Sequence, residues 1–212
     1  MPAAWAEPRH ALTAEEVGAL LDVSRETLAR LAAYLELLRR WQRSINLVAA
    51  STLLDPWRRH ILDCGQLCRF WPEGARIGLD LGSGAGLPGL VLAILGAPEM
   101  HLVESDQRKA AFLWEAARAT GTAVRIHACR AEAAPALGPD VVTARALAPL
   151  AALLPLAERF VGQDTVCLFL KGRTTEAELT AAAAHWRMRA ELHPSLSSAE
   201  GRVLLLREVS RA

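Results

Sequence analysis

The stretch LDLGSGAGLPGL, residues 79–90, places four glycines and a proline between the apolar segments ARIGLDL and LVLAI. Gly82, Gly84 and Gly86 permit a tight turn and let a ligand approach the backbone, while Gly89 permits close helix packing. Pro88 has no backbone N–H and so suits a first helical turn, where that group lacks an intrahelical partner. A strand, a glycine turn and a helix mark the place where an open α/β sheet holds a nucleotide-like ligand, beyond the carboxyl ends of its strands. Two carboxylates accompany the loop. Asp80 lies two residues before Gly82, where it is expected to orient the loop or meet a ligand ammonium group. Glu104 ends the segment HLVE, where an acceptor carboxylate can take both hydroxyls of a ribose.

Two cofactor classes satisfy this pattern. Gly84-x-Gly86-x-x-Gly89, with Glu104 about twenty residues on, fits the dinucleotide fingerprint. Asp80 with Gly82, Gly84 and Gly86 gives D-x-G-x-G-x-G, the arrangement of methyltransferases that use S-adenosylmethionine. Both cofactors carry a ribose diol, so Glu104 does not separate them. The alternatives are thus a methyltransferase, a nicotinamide-dependent dehydrogenase, and a noncatalytic RNA-binding protein on the same fold.

The elements around the loop bear on this choice. Thr13 with Glu16 forms a capping-box pattern, and Ser24 is a second N-cap. Leu28, Leu31, Leu35, Leu38 and Ile45 recur at helical spacing, predicting one long amphipathic helix. Another helix follows Pro56 and ends before Trp71-Pro72. From Ala75 the texture changes to alternation: RIGLDL, MHLVE, AVRIHA, PDVVTA and TVCLFLK read as strands, with helices from about Leu87, from Gln107, from Leu150 to Phe160, and from Thr175. Strands alternating with helices imply a mostly parallel sheet. WRMRAELH and RVLLLREV have only PSLSSAEG between them and read as a closing antiparallel pair, which fits a methyltransferase sheet better than a dehydrogenase sheet. The expected organisation is a helical N-terminal extension over residues 1–72 and a Rossmann-like α/β domain over 73–212.

Composition narrows the class. The 212 residues are 52% hydrophobic and 22% charged, as expected of a chain with a real core. No apolar run approaches a membrane span, and MPAAWAEPRH lacks the order of a signal peptide, so a cytoplasmic protein is expected. Cys64, Cys68, Cys129 and Cys167 do not form a dense disulfide framework, and reduced thiols are expected. His60, Cys64 and Cys68 suggest a metal site, but eight residues of helix rise about 12 Å. Zinc ligands lie only about 2.0–2.3 Å from their ion, so one straight helix cannot present all three, and no metal is expected.

Further segments join the loop in order: WQRSINLV (41–48), RHILDC (59–64), ESDQRKAAFL (104–113), CRAE (129–132), TARALAPL (143–150) and FLKG (169–172). Together with residues 79–94 they resemble the RsmG (GidB) family of bacterial 16S ribosomal RNA methyltransferases, from about residue 30 to residue 172. The resemblance implies a class I S-adenosylmethionine-dependent fold, a helical N-terminal extension, and methylation of guanine N7 at position 527 of 16S RNA in the small ribosomal subunit. It carries the family's cofactor contacts onto Gly82, Leu87, Ala131, Glu132 and Arg145. The chain departs from the family at Gln42, where asparagine is frequent, and at Cys64-Gly65, where Ser or Thr often follows the Asp of RHILDC. Beyond Gly172 the resemblance fades.

Guanine N7 has a lone pair and no proton, so this chemistry requires alignment and no general base. The full expected cofactor set is Asp80, Gly82, Gly84, Gly86, Leu87, Glu104, Ala131, Glu132 and Arg145. Within residues 37–60, Arg39, Arg40, Arg43, Arg58 and Arg59 stand against the single acid Asp55 and are expected to contact phosphates. Arg130 and Lys171 are expected nearer the crevice, and His60, Asp63 and Lys171 beside the target base or its RNA. Trp41 and Trp57 stack on splayed bases or join the core. The expected partner is 16S RNA or the small subunit, bound by a monomer that touches no membrane.

Overall fold

The computed structural model describes residues 10–212; most of the N-terminal stretch examined for a signal peptide lies outside that range. Thr13 opens α1 (Ala14–Leu21) reciprocally: its side chain accepts from the Glu16 amide at 3.2 Å, and Glu16 Oε2 accepts from the Thr13 amide at 2.8 Å. Ser24 caps α2 (Arg25–Gln42), accepting from the Thr27 amide at 3.1 Å. The predicted helix through Ile45 therefore stops early. Gln42 holds the turned chain that follows: Oε1 accepts from the amides of Leu47 and Val48 at 2.9 and 3.0 Å, and Nε2 donates to Val48 O at 2.9 Å. A 3-10 turn (Ala50–Leu54) precedes one helical passage, π-helical over Trp57–Leu62, α-helical in α3 (Asp63–Gly65) and 3-10 over Gln66–Phe70.

Seven strands follow: β1 (Ile77–Leu81), β2 (Glu99–Val103), β3 (Arg125–His127), β4 (Val141–Arg145), β5 (Val166–Lys171), β6 (Trp186–Pro194) and β7 (Arg202–Arg211). They form one sheet in the order β3-β2-β1-β4-β5-β7-β6. The first five run parallel, and β7 lies antiparallel between β5 and β6. The helices α4 (Gly89–Ile94), α5 (Gln107–Thr120), α6 (Leu150–Glu158) and α7 (Thr175–Ala182) connect them. This is the expected α/β, Rossmann-like sheet with an antiparallel end. Strand order reverses between β1 and β4, so the loops leaving their carboxyl ends diverge and open a crevice.

Strand residues alternate between two buried faces, which is why the parallel strands read as continuous apolar runs. Leu79, Leu81, Val142, Ala144, Cys167 and Phe169 pack with Leu150, Leu153 and Leu154 of α6. Met100, Leu102, Val141, Val166 and Leu168 pack on the other side, in the same core as Leu31, Tyr34 and Leu38 of α2, Leu90 of α4 and Phe112 of α5. The N-terminal helices thus share a core with the sheet. Among the described residues, no helix is long and apolar enough to cross a membrane.

Candidate active site

The turn after β1 is fixed from within. Ser83 N donates to Val103 O at 3.0 Å, and Ser83 O accepts from Gly86 N at 2.7 Å and Leu87 N at 3.0 Å. Gly84 has φ +55°, and a Cβ there would meet only Gly82 O within 4 Å, so its outer side is open to a ligand. Tyr34, fully buried, donates from α2 to Ala85 O at 2.8 Å and anchors the loop from below.

Of the two roles foreseen for Asp80, the structure selects the first. Its carboxylate is fully buried, accepting from Gly89 N at 3.1 Å and Thr143 Oγ1 at 2.8 Å. It therefore ties the start of α4 to β4 and cannot face a ligand directly. Burial pushes its carboxyl up to about 6, against the lowering effect of the bonds from Thr143, Ser83 and Gly89. Gly89 is required beside it, because a Cβ there would lie 2.4 Å from Leu102 Cδ2 and 2.6 Å from Asp80 Cβ.

Glu104 clamps the loop from β2. Oε2 accepts from Gly84 N at 2.8 Å and Oε1 from Asp106 N at 2.8 Å. Each oxygen retains acceptor capacity for a hydroxyl. Ala131 and Glu132 lie on a 3-10 turn (Ala131–Ala133) after β3, with Glu132 exposed. Arg159 donates to the carbonyl oxygens of Ala131, at 3.1 Å, and of Glu132, fixing the turn from behind.

A cavity of about 830 Å³ opens beside the glycine loop. Gly82, Ser83, Gly84, Ala85 and Leu87 form one wall, Arg145 and Ala146 lie at the end of β4, and Asn46–Ala49 with Thr52 form another wall. Glu104, Ala131 and Glu132 lie outside its lining, on the β2–β3 side.

Arg145 is held on several sides. Nη1 donates to Asp63 Oδ2 at 2.8 Å and to Arg59 O at 2.9 Å, and Nη2 lies 3.0 Å from His60 Nδ1. Asp63 Oδ1 also accepts from Ser197 Oγ at 2.5 Å and Gln66 Nε2 at 3.3 Å. His60 is fully buried, and burial followed by the charges of Arg145 and Arg59 brings its pKa down to about 3. It is a neutral imidazole near pH 7. Burial pushes the Cys64 thiol up, far from a thiolate at neutral pH.

The expected phosphate contacts divide. Arg39, Arg40, Arg43, Arg59 and Arg130 are exposed. Arg58 is 3% exposed; it bonds Asp55 Oδ2 at 2.5 Å and His10 O, tying His10 to the core, and this corrects its placement on an RNA surface. Lys171 lines the cavity, but its ammonium bonds Glu178 Oε2 at 2.6 Å and Ala148 O at 3.1 Å, so it is a strut for the α6–α7 side and not an open phosphate contact. Trp41 joins the core edge, with Nε1 donating to Glu115 Oε2 at 3.0 Å and its ring 5.8 Å from Phe112. Sequence reasoning passed over Lys109, Arg173, Gln66, Ser195 and Ser197. The three polar residues meet through Gln66 Nε2, which donates to Ser195 Oγ at 2.9 Å, and Leu196 N, which donates to Gln66 Oε1 at 2.8 Å. The segment PSLSSAEG thereby returns to the cavity, which Ser197, Ser198 and Glu200 line.

A family model described as rRNA small subunit methyltransferase G matches residues 27–205. The chain belongs to that family. A ribosomal RNA small subunit methyltransferase G of Rhodospirillum centenum is 57% identical over 96% of this chain and 94% of its own length. The relative of that name from Rhodospirillum rubrum is 53% identical, over 95% and 100%. Solved structures share the fold at much lower identity. A mutant of MtNAS in complex with S-adenosylmethionine has a TM-score of 0.57 at 17% identity, covering 92% of this chain and 84% of that one. An S-adenosylmethionine-dependent methyltransferase of Aquifex aeolicus gives 0.55 at 15%, covering 74% and 95%. The family match extends past Gly172, where the sequence resemblance had faded, through β6 and into the start of β7.

Proposed function

We propose that the protein transfers the methyl group of S-adenosylmethionine to N7 of guanine 527 in 16S ribosomal RNA. The observation that carries this reading is the family match across residues 27–205, within which the glycine loop and the cavity both fall. The alternatives of a dehydrogenase and a noncatalytic RNA binder have no counterpart among the relatives named above.

The residues fit the cofactor by their chemistry. Gly84 leaves backbone open beside the cavity, and Glu104 is a buried acceptor at the end of β2. We assign Gly82, Gly84, Gly86 and Leu87 to the methionine and ribose side, Glu104 to the ribose hydroxyls, and Ala131 with Glu132 to the adenine edge. Asp80 acts through the loop it holds.

When bound, the cofactor supplies a methyl group on a sulfonium, so that the C–S bond breaks toward sulfur as guanine N7 forms the new C–N bond. No proton moves, and this chain needs no base. Arg145 faces the cavity with N–H donors only, suited to the cofactor carboxylate or guanine O6 and unable to use the N7 lone pair productively. Arg39, Arg40, Arg43, Arg59 and Arg130 take phosphates, with Arg173 at the mouth. Residues 1–72, with their helices between Ala14 and Phe70, form the RNA-facing extension of the domain over 73–212. The protein works as a monomer on the small subunit or its RNA in the bacterial cytoplasm.

Labelled S-adenosylmethionine incubated with unmethylated small subunits or their RNA, followed by borohydride–aniline cleavage, tests this. A single cut at guanine 527 is expected. Absence of label from both substrates overturns the reading.

A further inference from the structure

Arginine carries five N–H groups and no acceptor. In Arg145 both Nη1 hydrogens point to protein oxygens, Arg59 O and Asp63 Oδ2, and one Nη2 hydrogen points to His60 Nδ1. That geometry assigns the histidine. Nδ1 faces a donor, so it holds a lone pair, and the ring proton sits on Nε2. Nε2 lies 3.0 Å from Thr52 Oγ1, which therefore accepts, and the Thr52 hydroxyl donates to Ala49 O at 2.6 Å. The chain runs one way only: Arg145 to His60 to Thr52 to Ala49.

We infer that His60 is a positioning residue of this site: its imidazole, in the Nε2–H form, sets the Nη2 arm of Arg145 and fastens the Asn46–Leu54 loop to that guanidinium. The inference rests on the methyl-transfer reading for its catalytic consequence. Thr52 and Ala49 line the cavity on one side and Arg145 on another, so the imidazole bridges two walls from beneath. Three N–H groups of Arg145 are engaged in this way, and the residue still lines the cavity. Asp63 and Arg59 O both hold Nη1, whereas His60 holds Nη2 and so fixes the second arm of the guanidinium. Burial and then the charges of Arg145 and Arg59 oppose a proton on the ring, against a weaker raising effect of the Arg59 backbone, while the Asp63 carboxylate is bonded to Arg145.

The two halves of the bridge can be cut separately. In His60→Asn the amide oxygen takes the place of Nδ1 and still accepts from Arg145, while the link to Thr52 is lost. In His60→Gln the amide reaches toward Thr52, and the Arg145 acceptor is lost. Full-length protein is compared by amide hydrogen exchange and by methyl-transfer kinetics on small subunits. Faster exchange over residues 46–54 is expected in His60→Asn and not in His60→Gln. A kcat loss of roughly tenfold, the size expected for one misplaced charge-assisted bond, is expected in His60→Gln, with much of it recovered in His60→Asn. Equal effects of the two variants on both readouts would reduce His60 to packing and overturn the inference. Nitrogen NMR of the wild-type imidazole decides it independently of turnover: an Nε2–H tautomer from pH 5 to 8 is expected, and an Nδ1–H or doubly protonated ring sinks it. Absence of methyl transfer by the wild type would overturn the functional reading, while loop exchange and the tautomer would still decide whether the bridge exists.

Discussion

Asp80 ionises inside a site from which water is excluded, and this makes it sensitive to pH. Its carboxyl is raised from 3.8 to about 6 by burial, so between those values the folded state holds more protons than the unfolded chain. Its contribution to stability is therefore greatest below about pH 4 and declines as pH rises through about 6. Urea unfolding at pH 4 and pH 7 should show wild type losing stability relative to Asp80→Asn over that interval; a constant difference would refute the burial argument. Asp80→Ala is more severe, leaving the Gly89 amide and the Thr143 hydroxyl without their acceptor, at a cost of about 1–3 kcal/mol. Gly89→Ala should cost a similar ~1–3 kcal/mol by overpacking against Leu102 and Asp80. Gly84→Ala adds a methyl group to open space in a left-handed backbone, so adenosylhomocysteine affinity measured by calorimetry should fall more than stability does.

The helical passage over Trp57–Phe70 separates neighbouring arginines into opposite roles. Arg59 is exposed and Arg58 buried on Asp55. Arg59→Ala should weaken RNA binding and lower the slope of log affinity against log salt by about one. Arg58→Ala should leave that slope unchanged and lower folding stability by roughly 1–3 kcal/mol, since it removes the charge-assisted bond to Asp55 and the bond to His10 O, while the amides of Leu12 and residue 58 still hold the carboxylate. Filter binding across a salt series, paired with thermal melts, distinguishes them, and matching salt slopes for the two variants would refute the division. The sequence could not reveal this split. Both arginines lie in one basic run, and their sorting depends on contacts with Asp55 and His10. The glycine loop, Asp80, Glu104 and all seven strands were legible because they rest on local spacing and apolar alternation. The bonds from Gln66 to Ser195 and from Asp63 to Ser197 join residues about 130 apart, and no period in the chain encodes such a meeting. Gln42 stood out in the sequence only as a departure from asparagine, whereas its longer side chain spans the turn to Val48.

At the scale of the whole molecule, the N-terminal helices and the sheet share one hydrophobic core, with Tyr34 and Leu38 in the same cluster as Met100 and Phe112. Unfolding should therefore be a single transition. Tryptophan fluorescence, weighted to the helical region by Trp41, Trp57 and Trp71, should melt together with far-ultraviolet dichroism of the whole chain. A fragment restricted to residues 73–212 should aggregate, because removing the helices bares the apolar faces of α4 and α5. Two separated transitions would show that the shared core does not couple them.

The place of β7 has a consequence for how the molecule is made. Arg202–Arg211 lies between β5 and β6. Synthesis proceeds from the N-terminus, so β7 leaves the exit tunnel after the six other strands, and until it does β5 lacks a neighbour on that side and β6 has none at all. The sheet therefore cannot close by adding strands in the order in which they are made. A protein whose relatives are named for modifying the small ribosomal subunit thus waits, as a ribosome builds it, for the strand that joins the two before it.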